Sequence, residues 1–231
     1  MDTPPSDNRL ASYSSFVLAA GMLIFAGTLL ALALPQQPGF DLDPDLYLKW
    51  LSANDRVFLA VHMLISFVLV LFMASVPARL YRRFQAIDAD LASAGLTAAL
   101  IGFGLQLLLT IVDGWGSPVL GRLYAGSSGE FHQSLAALWQ WMNAWRNGGM
   151  KTVSYAALAG WLWTNGRLMR RSTGAWPKFG AFCLVYAASM SALTLADIIE
   201  TVTQNPTAQN PTAHNLVLGL MLINLVILLV I

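Results

Sequence analysis

The residues of this chain with the chemistry of a metal or proton site are histidines and carboxylates near the ends of long apolar runs. His62 lies near the start of one run, Asp113 and Asp197 near the ends of two others, and His214 at the start of the last. Two or three histidines with an aspartate form a ligand set for zinc or non-haem iron. Ionisable groups at membrane depth are costly and often mark function. We therefore take these four residues as candidate metal ligands.

A second set of polar residues recurs at helical spacing within the apolar runs. Gln106, Thr110 and Asp113 share one face of a helix, as do Ser191, Thr194 and Asp197. A polar stripe on an apolar helix is expected to face neighbouring helices rather than lipid. The sequence therefore predicts a polar cavity lined by Ser66, Gln106, Thr110, Ser191, Thr194 and Glu200.

The composition indicates an integral membrane protein. The chain has 231 residues, of which 56% are hydrophobic and 11% charged, with a mean hydropathy of +0.58. A soluble domain carries about 25% charged residues. The net charge of +1 gives no basic surface for nucleic acid, and the single cysteine, Cys183, excludes an internal disulfide. The expected partners are therefore the lipid bilayer and other membrane subunits, with no nucleic acid.

The apolar runs predict one all-α bundle of six transmembrane helices after a short N-terminal segment, residues 1–13. A helix rises about 1.5 Å per residue, so each run is long enough for a hydrocarbon core of about 30 Å. The predicted spans are residues 14–34, 56–80, 91–112, 150–168, 179–199 and 213–231.

The distribution of Lys and Arg predicts the orientation of these spans. If the N-terminus is cytoplasmic, eight Lys and Arg residues fall on the cytoplasmic side and five on the other. The positive-inside rule then places both termini in the cytoplasm. The inner membrane of a bacterium is the location that the family resemblance described below implies. Under this topology the candidate ligands all lie at the outer face.

Two amphipathic helices are predicted in the outer segments. Residues 43–51 favour a short helix on the membrane surface, with Leu48 and Leu51 on the lipid. Residues 129–147 have apolar side chains at helical spacing and predict an interfacial helix, ended by the Gly-Gly pair at residues 148–149.

The segment that follows the third predicted span resembles a recurring segment of bacterial six-helix membrane proteins. In that family an Asp-Gly pair leads through a proline to a Leu-x-Arg-x-Tyr-Ala-like run, as Asp113-Gly114, Pro118 and residues 120–125 do here. The resemblance covers about residues 106–171 and implies the six-helix topology, but no activity. Physically, we expect Asp113 to cap a turn and Pro118 to stop the helix.

Several functions stay open at this point. A non-enzymatic accessory subunit, or a bundle that binds lipid or another hydrophobic ligand, is favoured because each polar residue also has an ordinary structural role. The alternative is a hydrolase or oxidase dependent on zinc or iron, similar in residue types to the membrane zinc hydrolases of the alkaline-ceramidase and adiponectin-receptor type. That superfamily has a histidine pair on its last helix, where this chain has only His214. Ion or small-molecule transport through the polar cavity is a second alternative. Haem ligation by two histidines is less favoured, because only His62 lies inside a span.

Overall fold

The computed structural model of the protein describes residues 43–174 and 176–203, and within these ranges the chain is helical, without a strand. The helices are α1 Pro44–Ala53, α2 Asp55–Phe84, α3 Ala89–Ile111, α4 Ser117–Ala125, α5 Gly129–Ala144, α6 Lys151–Arg170 and α7 Trp176–Thr203. Two π-helical turns join consecutive helices: Val112–Gly116 joins α3 to α4, and Trp145–Met150 joins α5 to α6. The predicted spans 14–34 and 213–231, and with them His214, lie outside the described residues.

Three of the described helical stretches are long and apolar enough to cross a membrane: Asp55–Phe84, Ala89–Ala125 and Trp176–Ile199. They contain the predicted spans 56–80, 91–112 and 179–199. The chain is therefore an all-helical protein with three helices that can span a bilayer, as far as the described part extends.

The long helices pack in an antiparallel bundle in which α6 contacts both α3 and α7, and α3 contacts α2. The C-terminal ends of α2 and α6 meet the N-terminal ends of α3 and α7 at one end of the bundle. A buried cluster holds this end together, formed by Phe84, Ala92, Leu168 and Met169.

Glycines set the closest approaches between these helices. The Ser154 Oγ of α6 donates a hydrogen bond of 2.9 Å to the Gly102 carbonyl of α3. A Cβ added to Gly180 would lie 2.6 Å from the carbonyl oxygen of Gly166, so α6 and α7 touch through their backbones. Small residues at crossings are the usual means by which membrane helices pack closely.

At the other end of the bundle, α1, α4 and α5 form a separate layer that we call the cap. Its core is made by Tyr47, Leu48, Leu51, Leu120, Tyr124, Leu135 and Trp139. The predicted helix at residues 43–51 is present as α1, with Asp43 as its N-cap. However, Leu48 and Leu51 do not lie on lipid: both are fully buried, because α4 and α5 offer α1 an apolar protein surface.

The helical backbone continues through Pro118 and through the two glycines at residues 148–149, where the sequence predicted that it would end. Pro118 does not stop the helix, because a π-helical turn precedes it and places it in the first turn of α4, where its missing N–H is not needed. Gly148 and Gly149 likewise lie inside the second π-helical turn, which continues into α6. Helix α5 itself ends at Ala144, three residues before the predicted end of the interfacial helix at residue 147.

Candidate functional site

A half-buried ion pair joins the two π-helical turns. Asp113 lies in the first turn and Arg146 in the second, and their side chains are 20% and 13% exposed. The Nη1 of Arg146 donates to Oδ1 of Asp113, and the Ser117 hydroxyl donates to the same oxygen over 3.2 Å. π-Helical turns occur often at functional sites. The pairing brings together two charges that are far apart in the sequence.

His62 lies beside this ion pair. Its ring stacks on Phe58 with a centroid separation of 4.1 Å, and its Nδ1–H donates to the Phe58 carbonyl over 2.8 Å. A Cβ added to Gly114 would lie 2.5 Å from the His62 Cβ, so only glycine lets this π-helical turn approach α2. His62 is also within electrostatic range of both Asp113 and Arg146. With Nδ1 donating, Nε2 holds the lone pair of the imidazole.

A small cavity adjoins the ion pair. It is lined by both paired residues and by other side chains from the two π-helical turns, α4 and α5: Val112, Asp113, Ser117, Trp139, Met142, Asn143, Trp145 and Arg146. The cavity is mixed in character, with tryptophan and methionine surfaces next to the charges.

Asp197 belongs to a different polar group, formed between α6 and α7. It lies within electrostatic range of Lys151 and Tyr155, both on α6. The Lys151 ammonium lies 5.6 Å from the centroid of the Tyr155 ring. The structure thus gives the two candidate aspartates different cationic neighbours, Arg146 for Asp113 and Lys151 for Asp197.

The predicted metal set is only partly brought together. His62 and Asp113 are neighbours, Asp197 lies with Lys151, and His214 is outside the described residues. Among residues 43–174 and 176–203, no group of three or more His, Cys, Asp or Glu side chains is arranged to hold a metal ion. The four-residue metal site therefore stays a prediction.

The residues predicted to line a polar cavity bond mostly to their own helices. Ser66 donates to the His62 carbonyl, Thr110 to Gln106, Ser191 to Ala187 and Thr194 to Met190, each four residues back. Helices α3 and α7 both pack on α6. The side chain of Glu200 is outside the described part of the structure. A continuous polar cavity between α3 and α7 stays a prediction.

The sequence reasoning missed a polar cluster in the cap. Asp45 on α1 accepts hydrogen bonds from Lys49 over 2.6 Å and from the Tyr124 hydroxyl of α4 over 2.7 Å. These two bonds, with Lys49 contributing most, lower the pKa of Asp45 below its ordinary value. The His132 Nε2 of α5 lies 3.6 Å from Oδ1 of Asp45. Asp45 therefore ties α1 to both other helices of the cap.

Ser127 completes this cluster, and its geometry indicates a structural role. Its hydroxyl donates to the Tyr124 carbonyl over 2.8 Å, so its oxygen accepts from the His132 Nδ1–H over 3.1 Å. A serine nucleophile would instead donate its proton to the histidine. No sequence signal linked these residues, because Tyr124 lies 79 positions and His132 lies 87 positions after Asp45.

No protein-family model, no curated protein and no solved structure matches this chain. The fold alone therefore defines its class: an all-helical protein with three helices, in the described part, that can cross a membrane.

Proposed function

We propose that this chain crosses a bacterial inner membrane six times, with both termini cytoplasmic and the cap at the outer interface. Helix α6 is one of the proposed spans, although it is more polar than α2, α3 and α7. Its Ser154 and Thr164 are buried and hydrogen bonded to backbone carbonyls. A helix shielded on two sides by α3 and α7 can carry such residues at membrane depth.

The charges support this orientation. The end of the bundle opposite the cap, which we call the basic end, has seven Lys and Arg residues against two carboxylates, Asp88 and Asp90. Its cations are Arg79, Arg82, Arg83, Arg167, Arg170, Arg171 and Lys178. An excess of Lys and Arg next to transmembrane helices marks the cytoplasmic side.

The function that we propose is non-enzymatic: an accessory membrane subunit whose cap binds lipid or another hydrophobic ligand. One observation carries this proposal. Large apolar side chains are exposed along one stripe of the Trp115–Leu123 segment and along a second stripe of α5 and the π-helical turn after it: Trp115, Val119 and Leu123, then Leu138, Trp141 and Trp145. Contiguous exposed apolar surface marks a site for lipid, ligand or partner. Tryptophans at the end of a membrane bundle also suit an interfacial location, so we assign α5 to the outer interface.

The polar residues next to this surface fit a structural role. The Asp113 carboxylate accepts from Arg146 and Ser117, which fixes the joint between the α3–α4 and α5–α6 segments. A carboxylate held in this way is poorly placed to take up a proton or ligate a metal. Its fixed position instead holds the apolar stripes of the cap in place.

Retention of hydrophobic molecules by the purified protein tests this proposal. We expect native mass spectrometry of the detergent-solubilised protein to show bound lipid or another hydrophobic molecule. A double variant Trp141→Ser/Trp145→Ser should lose most of it. The matched control is Phe67→Ser, which removes an exposed aromatic side chain from the middle of α2, outside both the cap and the basic end. Ligand-free wild-type protein, or equal retention by all three proteins, would reject cap binding.

The alternative is a metal-dependent hydrolase or oxidase, and the proximity of His62 to Asp113 favours it. With His214 and Asp197 as further ligands, the site would hold one zinc or iron. Elemental analysis decides between the proposals. About one metal per chain, absent from a His62→Ala/His214→Ala double variant, would support the enzyme. Metal-free protein would leave His62 as a packing residue of α2.

A further inference from the structure

The basic end carries a dense group of exposed cations. Six of its seven Lys and Arg side chains are exposed: Arg82, Arg83, Arg167, Arg170, Arg171 and Lys178. Arg171 forms an ion pair with Asp88 over 2.9 Å. Within the described ranges, the other five exposed cations have no ion-pair partner. Most of the positive charge at this end is therefore not neutralised by carboxylates of residues 43–174 and 176–203.

Two of these cations lie against tryptophan rings, an arrangement that suits the level of lipid headgroups. The Arg83 guanidinium lies 4.7 Å from the centroid of the Trp176 ring, and Trp176 packs edge-on against Phe84 at 5.5 Å. The Arg167 guanidinium lies 5.0 Å from the ring of Trp163. Tryptophan concentrates at membrane interfaces, and arginine stems extend along apolar surface while the charge reaches the headgroups.

We propose that the basic end binds the phosphates of anionic phospholipid headgroups, through Arg82, Arg170 and Lys178. Arg83 and Arg167 are stacked on tryptophans and Arg171 is paired, which leaves these three cations for a ligand. Guanidinium groups are well suited to phosphate because they donate in a planar fork. The inference rests on the proposed membrane placement, since headgroups reach this end only if the bundle spans a bilayer.

The size of the effect follows from the charges. Each Lys or Arg near an anionic surface strengthens attraction by about fivefold, so removal of three cations weakens binding by about a hundredfold. The attraction is also screened by salt, because the side chains are exposed.

The experiment measures the thermal midpoint of the full chain in maltoside micelles during titration with phosphatidylglycerol or phosphatidylcholine. We expect phosphatidylglycerol to stabilise the wild-type protein more, and 1 M NaCl, a concentration with a Debye length of about 3 Å, to remove the difference. The variant Arg82→Gln/Arg170→Gln/Lys178→Gln should require about a hundredfold more phosphatidylglycerol for the same shift. Inorganic phosphate at the same concentration should have no effect.

Two controls separate charge from folding. Arg82→Lys/Arg170→Lys keeps the charge but not the planar fork, so it should keep the preference for phosphatidylglycerol and respond far more strongly than the triple variant. Arg56→Gln removes one exposed cation near the cap and should also respond like wild type. Equal stabilisation of the wild-type protein by both lipids, stabilisation by phosphate alone, or an unchanged phosphatidylglycerol response in the triple variant would overturn the inference.

A reconstitution arm separates this inference from the proposed function. Protein that inserts into phosphatidylcholine vesicles but shows no headgroup preference rejects only the anionic-lipid site. Protein that fails to insert rejects the membrane placement as well.

Discussion

At the residue scale, the ion pair between Asp113 and Arg146 is the most consequential contact of the described structure. Each residue lies in a π-helical turn, and such a turn has a wider backbone than an α-helix. Both side chains are mostly buried, so neither charge has full access to water. Removal of the carboxylate takes away a charged partner of Arg146 at a position where water can replace it only in part.

We predict that Asp113→Asn lowers the free energy of unfolding by about 3 kcal/mol, because the Arg146 guanidinium then loses the carboxylate to which it donates in a mostly buried position. The double variant Asp113→Asn/Arg146→Gln should recover part of this loss. Asp55→Asn is the matched control: it breaks the pair with Arg122, whose side chain is 58% exposed, and should cost less than about 1 kcal/mol. The free energy of unfolding is measured in mixed maltoside–dodecyl sulfate micelles for the wild-type protein and the three variants. Equal losses in Asp113→Asn and Asp55→Asn would contradict a stabilising role for the pair of Asp113 and Arg146.

A second prediction at this scale concerns pH. The Leu91 N–H and Arg171 both hydrogen bond to Asp88 and lower its pKa below the ordinary 3.8. Because the folded pKa is depressed, the stabilisation is fully present above about pH 4, and it is lost as pH falls through the lowered pKa. Asp88→Asn keeps an N-cap acceptor but removes the charge, so its stability should depend less on pH between about 5 and 2.5.

The control for this titration is Asp90→Asn. Asp90 lies in the first turn of α3, and its replacement removes one carboxylate from the same end without touching the pair of Asp88 and Arg171, so the part of the pH dependence that Asp88 causes should remain. Thermal midpoints of the wild-type protein and of both variants, measured from about pH 6 to pH 2.5, test this prediction. Identical profiles for wild type and Asp88→Asn would show that the Asp88 charge contributes nothing to stability.

At the scale of elements, the close crossing of α3 and α6 depends on a glycine. A Cβ at Gly102 would lie 2.7 Å from the side chain of Leu158 and 3.1 Å from its backbone nitrogen. A Cβ at Gly104, two residues along the same helix, would meet nothing within 4 Å among the described residues. The two glycines thus share a helix but differ in their neighbours.

We predict that Gly102→Ala costs about 1–3 kcal/mol, because the added methyl group forces α3 and α6 apart. Gly104→Ala should be neutral or stabilising by up to about 1 kcal/mol, because alanine is the better helix former. The same micelle unfolding assay compares them. If Gly102→Ala proved as stable as Gly104→Ala, the crossing would be looser than its geometry indicates.

The helices were predictable from the sequence, but their junctions were not. Long apolar runs and helical spacing predict α2, α3, α7 and α5, because hydropathy and periodicity are local properties. Pro118 and residues 148–149 predicted breaks, yet π-helical turns absorb them and tertiary packing keeps the chain helical. The prediction that Leu48 lies on lipid was wrong for the same reason, because a local pattern does not show that α4 and α5 cover α1.

The site was predictable only where the spacing was local. Asp113 and His62 were identified from their depth in apolar runs. Arg146 was not recognised as the partner of Asp113, because the two are 33 residues apart. The cap cluster around Asp45 and His132 joins α1 to α5 and was equally invisible to helical periodicity.

At the scale of the whole molecule, the two ends of the bundle differ in charge and in shape. The basic end is rich in arginine, with Trp176 beside Arg83 and Trp163 beside Arg167. The cap end holds the polar clusters, the π-helical turns and the exposed apolar stripes of the Trp115–Leu123 segment and α5. A bilayer placed between the two ends gives a single explanation for the charge asymmetry and for the apolar surfaces of α2, α3 and α7.

Sided cysteine labelling in intact bacteria tests this placement most directly. In a Cys183→Ala background, Ser128→Cys places a thiol in the cap and Thr173→Cys places one at the basic end, both at exposed positions. We predict that a membrane-impermeant maleimide labels Ser128→Cys in intact spheroplasts, and labels Thr173→Cys only after permeabilisation. The reverse pattern, or labelling of both before permeabilisation, would contradict a bundle that spans the membrane with its basic end inside.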